Sequence, residues 1–190
     1  MMSSFLDTLT HTLNQLKTHL PLTVGFIGLL FAIQMVNFIL RYRLNILGIW
    51  PRKTWGWIGI PFSPFLHGSF THFIFNSLPL FIFSNLIVMQ GEKTFLMVSI
   101  FIILLSGLLI WAFARPGIHV GASALIMGYL GFILMGIYHK PSYLSVIVGV
   151  SCLYYFAGMF SNLLPQKDKQ ISWEGHVFGF IAGIVAAFVV

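Results

Sequence analysis

Residues 121–138 read GASALIMGYLGFILMGIY and contain no charged side chain. A transmembrane helix needs about 20 mostly apolar residues, so this stretch predicts a helix inside a lipid bilayer. The whole chain agrees, because 58% of its 190 residues are hydrophobic and 7% are charged, with a mean hydropathy of +0.93. A soluble domain carries roughly a quarter charged residues. The fold class indicated is therefore an all-α membrane protein.

Five other segments are apolar over a similar length, and their apolar residues recur with a helical period. The five tryptophans all lie in connections or at span ends, where an amphipathic ring prefers to sit. We therefore predict a single domain over residues 1–190 with six transmembrane helices. The predicted spans lie near 20–40, 70–89, 95–113, 121–138, 143–160 and 173–190.

Two segments lie outside these spans. In residues 1–19 the apolar side chains recur at helical spacing, which predicts a short amphipathic helix lying on the membrane surface. Residues 41–69 form a long first connection that is too apolar for a free linker and too rich in proline and glycine for a span. We expect this connection to be half-buried in the membrane interface. The apolar pattern of the first segment consists of Phe5, Leu9, Leu13 and Leu16.

Several classes of function are disfavoured. The net charge of +6 rests on ten Lys/Arg against four Asp/Glu, which is too sparse for a nucleic-acid-binding surface. Cys152 is the only cysteine, so an intramolecular disulfide is excluded. His67 and His72 are five residues apart, which does not match a helical zinc pair, and the HExxH motif is absent. We expect no metal and no cofactor.

Three predicted spans begin with polar groups, which are costly inside a membrane and therefore mark candidate functional sites. The second, fourth and sixth spans run in the same direction, so the polar groups in their first turns share one membrane depth. A single water-filled cavity could serve all of them. These groups are His72 and Asn76, Gly121 and Ser123, and Glu174 and His176.

These residue types suit nucleophilic catalysis. A serine hydroxyl is a weak nucleophile until a base removes its proton, and a neutral histidine can do so near pH 7. Ser123 is the candidate nucleophile and His176 the candidate base. The developing oxyanion needs donors, which the Ser123 N–H, the Asn76 amide and the His72 ring could supply. No carboxylate is well placed as a third member, since Glu174 lies about 200° around the helix from His176.

Small residues surround the candidate dyad. Gly121 permits close backbone approach just before the nucleophile. Gly179 and Gly183 lie on the same helix face as His176, and such small residues allow tight packing between membrane helices. His119, four residues before Ser123, is a rival base, which we rank behind His176 because Pro116 and Gly117 predict a loop there.

With these residues the chain resembles the rhomboid family of intramembrane serine proteases. The resemblance runs from about residue 38 to the end and rests on the order and spacing of the motifs on spans two, four and six. The segment 44–52, together with Ser172-Trp173-Glu174-Gly175-His176, is similar to a compact bacterial subgroup with six spans. The motifs are Leu66-His67 with His72-Phe73-Ile74-Phe75-Asn76, Gly121-Ala122-Ser123, and His176 followed by Gly179 and Gly183.

The resemblance implies a Ser123–His176 dyad, an oxyanion site formed by His72, Asn76 and the Ser123 amide, and substrates that are themselves transmembrane helices. It implies cleavage near the top of the substrate helix, beside small residues, from an active site open to the outer face. The sequence departs from the family at two places. Ile58-Gly59 stand where well-studied members have Trp-Arg, and Met127 replaces a tyrosine that stacks on the histidine.

The charges in the connections argue against the family's orientation. Seven of the ten Lys/Arg lie in odd-numbered connections, which would place the N-terminus outside by the positive-inside rule. The resemblance implies that both termini lie in the cytoplasm, with the protein in the bacterial inner membrane. We follow the resemblance, because four of the seven charges lie in the long first connection, where lipid headgroups could hold them.

Two alternatives belong to other functional classes. A rhomboid-like pseudoprotease would bind transmembrane helices without cleaving them, although such proteins usually lack one member of the dyad. A small transporter or proton pathway could use the intramembrane histidines. The absence of Asp or Glu within the predicted spans, apart from Glu174 at an edge, disfavours the transporter.

Overall fold

The structure is a computed structural model that describes residues 2–139 and 172–190, together with the single positions 146, 150 and 154. Within these residues there is no β-strand, and Ile49 and His119 form one isolated antiparallel bridge. Three short 3-10 turns lie in the long first connection, at Arg43–Leu47, Gly56–Gly59 and Ser63–Phe65. The two long described ranges contain the helices α1 (Met2–Ile39), α2 (Phe70–Val88), α3 (Glu92–Phe113), α4 (Ser123–His139) and α5 (Trp173–Val189).

The described helices match most of the predicted spans. The spans predicted near 70–89, 95–113, 121–138 and 173–190 correspond to α2, α3, α4 and α5. In this part of the chain α1, α2 and α3 are long and apolar enough to cross a membrane, whereas α4 and α5 are apolar but shorter. The span predicted at 143–160 lies outside the described residues except at positions 146, 150 and 154, so the count of six remains a prediction.

The N-terminal segment differs from the expectation. We expected residues 1–19 to form a separate surface helix, but α1 continues without a break from Met2 through Pro21 to Ile39. At 1.5 Å per residue this 38-residue helix is about 57 Å long, which exceeds the 40–45 Å of a whole bilayer. A proline removes one backbone donor, and here the helix continues past that single loss. His19 Nδ1 lies 3.3 Å from Glu92 Oε1 at the start of α3.

The described parts of helices α4 and α5 are shorter than α2 and α3, and both helices begin inside the protein. Each has 17 residues, which corresponds to roughly 26 Å and is less than the hydrocarbon thickness. Polar groups at membrane depth are tolerated where protein or water surrounds them rather than lipid. Glu174 and His176 in the first turn of α5 are indeed buried.

Helix α4 lies at the centre of the bundle, where it contacts α2, α3 and α5. Nearly all of its first three turns are buried. Tyr129 is fully buried and its hydroxyl lies 2.6 Å from Ser99 Oγ of α3. This placement matters for the site, because a core helix holds its first residues in a defined position.

The long first connection packs against the C-terminal end of α3. Arg52 Nη1 donates to the carbonyl oxygen of Ala114 at 2.6 Å, and Trp111 Nε1 donates to the carbonyl oxygen of Lys53 at 2.9 Å. Arg52 thereby satisfies a carbonyl at the helix end, which has no partner within the helix. Trp55, Trp57 and Phe62 are exposed on this connection, and its position at the membrane interface stays a prediction.

Candidate active site

The site begins at the turn that enters α4. Gly121 has φ +120°, a conformation that residues with a side chain rarely adopt. A β-carbon on Gly121 would also lie 2.7 Å from Cε1 and 2.8 Å from Nε2 of His72, so only glycine fits. The Gly121 N–H donates to the Ser63 carbonyl oxygen at 2.9 Å. Ser123 follows as the first residue of α4, where backbone N–H groups have no partner within the helix.

Helix α2 places two polar side chains against this turn. Ser69 caps the helix, since its hydroxyl oxygen accepts the His72 N–H at 3.0 Å. Asn76 Nδ2 lies 3.7 Å from the position of a Gly121 β-carbon and donates to the His72 carbonyl oxygen at 3.0 Å. A side-chain amide nitrogen has two N–H bonds, so Asn76 has a second donor beside the one in this hydrogen bond.

Helix α5 packs on α4 through glycines. A β-carbon on Gly179 would overlap the Ala124 carbonyl oxygen, and one on Gly183 would overlap the carbonyl oxygen of Gly128. The contacts advance together along both helices, so the two helices run in parallel. His176 is three residues before Gly179, just as Gly121 is three residues before Ala124.

This register has a direct consequence for the candidate dyad. His176 is aligned with Gly121, in the turn that enters α4 two residues before Ser123. His176 is also buried, with 7% of its surface exposed, and it lies within electrostatic range of His72. The structure therefore gathers the first turns of α2, α4 and α5 at one place.

A small cavity of about 30 Å³ lies beside Ser123. Such a volume holds about one or two water molecules. Ser123 of α4 and Gly175 of α5 both line it, so the residue preceding His176 borders the same space as the Ser123 side chain. Other lining residues include Ser63, Ser106, His119 and Ser172.

His119, the rival base, has both ring nitrogens engaged. Nδ1 lies 2.8 Å from Ser172 Oγ, and Nε2 lies 3.0 Å from the carbonyl oxygen of Arg115. Because a carbonyl only accepts, Nε2 must carry the hydrogen. Burial lowers the pKa of His119, while its hydrogen bond to the Arg115 carbonyl and the nearby Glu174 carboxylate act in the opposite direction. These contacts give His119 a structural role and leave His176 as the better candidate base.

His67 and two asparagines support the entry to α2, and sequence reasoning did not single out the asparagines. The His67 ring packs edge-on against His72, with centroids 5.2 Å apart. Burial lowers the pKa of His67 to about 3, and His72 adds to this lowering, so the ring is neutral at pH 7. Asn37 donates to Asn45 Oδ1 at 2.9 Å and to the His67 carbonyl oxygen at 3.4 Å. A buried asparagine near the end of the first span was the available signal.

Met127 and Glu174 lie close in sequence to the two members of the candidate dyad. Met127 is fully buried in the hydrophobic core. Glu174 Oε1 lies 3.3 Å from Arg115 Nε, so its carboxylate pairs with a residue of the α3–α4 connection. Among the described residues, no three His, Cys, Asp or Glu side chains are grouped closely enough to hold a metal ion.

Fold and site together define a class: an all-helical membrane protein in which hydrogen-bonding groups converge where α2, α4 and α5 begin. A family model for the Rhomboid domain matches residues 51–190. The chain therefore belongs to the rhomboid family.

Proteins of similar sequence occur in mycobacteria and in a virus. An uncharacterized protein of Mycobacterium tuberculosis (strain ATCC 25618 / H37Rv) is 31% identical over 172 residues, which cover 86% of this chain and 71% of that protein. An uncharacterized protein of Mycobacterium leprae is 30% identical over 172 residues, covering 86% and 68%. A protein of Acanthamoeba polyphaga mimivirus, provisionally named a rhomboid protein, is 32% identical over 127 residues, covering 64% and 68%.

Proposed function

We propose that this chain is an intramembrane serine endopeptidase that cleaves transmembrane segments of membrane proteins. The observation that carries the proposal is the parallel packing of α4 and α5, in which Gly179 lies against the Ala124 carbonyl. The same register aligns His176 with Gly121, two residues before Ser123, which supports a Ser123–His176 dyad. Membership of the rhomboid family, whose members are generally serine intramembrane proteases, supports the same reading.

The proposed reaction proceeds through an acyl-enzyme. Ser123 Oγ attacks the carbonyl carbon of the scissile bond while His176 takes the hydroxyl proton. His176 then gives this proton to the leaving amine, and the acyl group remains as an ester on Ser123. Water attacks the ester with His176 again accepting a proton, which returns to Ser123 as the acid product leaves. The cavity beside Ser123 has room for such a water.

The oxyanion formed in both steps would be stabilised by the Ser123 N–H, the Asn76 amide and the His72 ring. His72 and Asn76 already lie against Gly121, two residues before Ser123. Donors that are fixed before the reaction lower the barrier most, because they need no reorganisation. Gly121 contributes by letting these side chains approach the backbone closely.

A fluorophosphonate probe tests the proposal, because it reacts with a serine only when a base activates the hydroxyl. We expect the purified, folded protein to become covalently labelled at Ser123. Labelling is measured by in-gel fluorescence and located by mass spectrometry of the modified peptide. A folded wild-type protein that remains unlabelled would contradict the protease and favour a pseudoprotease that binds transmembrane helices.

Replacing Asn76 by alanine is expected to slow cleavage without abolishing it, since one of several oxyanion donors is lost. The expected decrease in kcat is about 10²- to 10³-fold. Asn85→Ala is a matched control on the same helix, because Asn85 bonds to Thr23 and the Phe81 carbonyl. The control is expected to retain the wild-type rate per active molecule. Full activity of Asn76→Ala would remove Asn76 from the oxyanion site.

We further propose that the protein lies in the bacterial inner membrane with both termini in the cytoplasm. In this orientation the exposed tryptophans of the first connection would lie at the outer interface. A reporter fused after Val190 measures the side of the C-terminus directly. A C-terminus outside the cell would contradict this orientation and support the charge distribution of the connections instead.

A further inference from the structure

A partly buried ion pair joins the α3–α4 connection to the first turn of α5. Arg115 Nε lies 3.3 Å from Glu174 Oε1, and the backbone N–H of Arg115 donates to the same oxygen at 3.3 Å. Glu174 has only 5% of its surface exposed. A buried carboxylate is costly without such partners, and a position in the first turn of a helix also favours negative charge. The pair therefore favours one placement of the start of α5.

A second contact joins the same two segments. His119 carries its hydrogen on Nε2, so Nδ1 accepts a hydrogen bond from the Ser172 hydroxyl at 2.8 Å. Ser172 caps α5, because its oxygen accepts the Gly175 N–H at 3.2 Å. His119 is itself held by two backbone hydrogen bonds to Ile49, of 3.0 and 2.9 Å. The cap of α5 is thus attached to a fixed strand-like segment.

The residues of both contacts lie shortly before the two members of the candidate dyad in sequence. Ser172 and Glu174 lie four and two residues before His176, and His119 lies four residues before Ser123. One segment carries the proposed nucleophile, and the other carries the proposed base. Any shift between the segments would change the distance from His176 to Ser123, and reaction rates fall by about 10²-fold for displacements on the order of 1 Å.

We propose that the Arg115–Glu174 ion pair and the His119–Ser172 hydrogen bond form a clamp that positions His176 against Ser123. Glu174 is a positioning residue in this scheme, since it acts on the reaction through α5. The clamp rests on the proposed protease function. It supplies orientation at a site where Met127 stands in the position of a stacking tyrosine.

Glu174→Gln tests the clamp with a minimal change. Both contacts use Oε1, so glutamine can keep the acceptor while the negative charge is lost. We expect kcat for a synthetic transmembrane peptide, and the rate constant of fluorophosphonate labelling, to fall by about 10-fold, with KM within about two-fold. The final extent of labelling is expected to stay complete. Glu92→Gln, the same change in the first turn of α3, is the matched control and should leave every value unchanged.

The rate and the extent of labelling separate positioning from simple destabilisation. In a variant that is only less stable, fewer molecules are folded and can be labelled, whereas each folded molecule still reacts at the wild-type rate. A reduced extent at an unchanged rate would therefore overturn the clamp. Arg115→Gln combined with Glu174→Gln is expected to be no slower than the worse single variant, since both remove one interaction. Multiplying effects would also overturn it.

Two further outcomes are distinguishable. An unreactive wild type overturns both the protease and the clamp, whereas a reactive wild type with an equally reactive Glu174→Gln overturns the clamp alone. Should Glu174→Gln fail to fold, Ser172→Ala tests the same device by removing a single hydroxyl. We expect that variant to be labelled several-fold more slowly, and an unchanged rate in it would contradict the clamp.

Discussion

Ser123→Ala is expected to abolish peptide-bond cleavage and fluorophosphonate labelling, lowering kcat by roughly 10⁴-fold or more. The hydroxyl is the atom that would form the acyl-enzyme, and alanine cannot replace it. His176→Ala is expected to cause a loss of similar size, because residues that act as one catalytic unit show strongly non-additive effects. The double variant should therefore be no slower than Ser123→Ala. Cleavage of a synthetic transmembrane peptide in lipid vesicles measures these rates.

Two control variants test the assignment. Ser106 borders the same cavity as Ser123 and is buried, yet Ser106→Ala is expected to retain labelling. His119→Gln is expected to slow labelling without abolishing it, since His119 belongs to the clamp. Labelling that persists in His176→Ala but disappears in His119→Gln would transfer the role of base to His119.

Gly179→Leu is expected to lower kcat by about 10²-fold and to destabilise the fold by about 1–3 kcal/mol. A side chain at this position overlaps the Ala124 carbonyl oxygen, so α5 must move away from α4. His176 lies one helical turn from Gly179 and would move with the helix. Cleavage rate and thermal unfolding of the purified protein in detergent measure both effects.

A glycine elsewhere in the bundle provides the control. Among the described residues, a β-carbon on Gly136 of α4 meets no atom within 4 Å, so Gly136→Leu changes the same residue type without separating α4 from α5. We expect it to retain wild-type activity and to leave the unfolding temperature unchanged or slightly higher, since leucine favours helix more than glycine. If Gly179→Leu matched this control, tight packing of α4 and α5 would not be needed to place His176.

Much of the fold could be predicted because the signals are local. Apolar length and helical period predicted α2, α3, α4 and α5 to within about three residues at each end. The prediction was wrong at α1, where Pro21 was taken as the first turn of a span. The helix instead continues from Met2 through Pro21 to Ile39, although an interior proline usually kinks or ends a helix.

The candidate site was predictable in part for a related reason. A polar residue inside a span is costly, so His72, Asn76, Ser123 and His176 could be selected from sequence alone. The partners of Glu174 and His119 could not. Glu174 was set aside because it faces away from His176, and the structure pairs it with Arg115, 59 residues earlier in the chain. Pairings at such a separation depend on how the helices pack.

The sequence by itself determined that polar groups stand at the starts of the spans, among them Gly121-Ala122-Ser123. It also determined the apolar length and period that make the chain a helical membrane protein. The tertiary structure alone decided which atoms meet: Gly121 against His72 and Gly179 against the Ala124 carbonyl, and Glu174 against Arg115. The physical reason is the distance along the chain over which each interaction acts. Burial cost and helical period act within a segment, whereas close packing and ion pairing are settled only when distant segments come together.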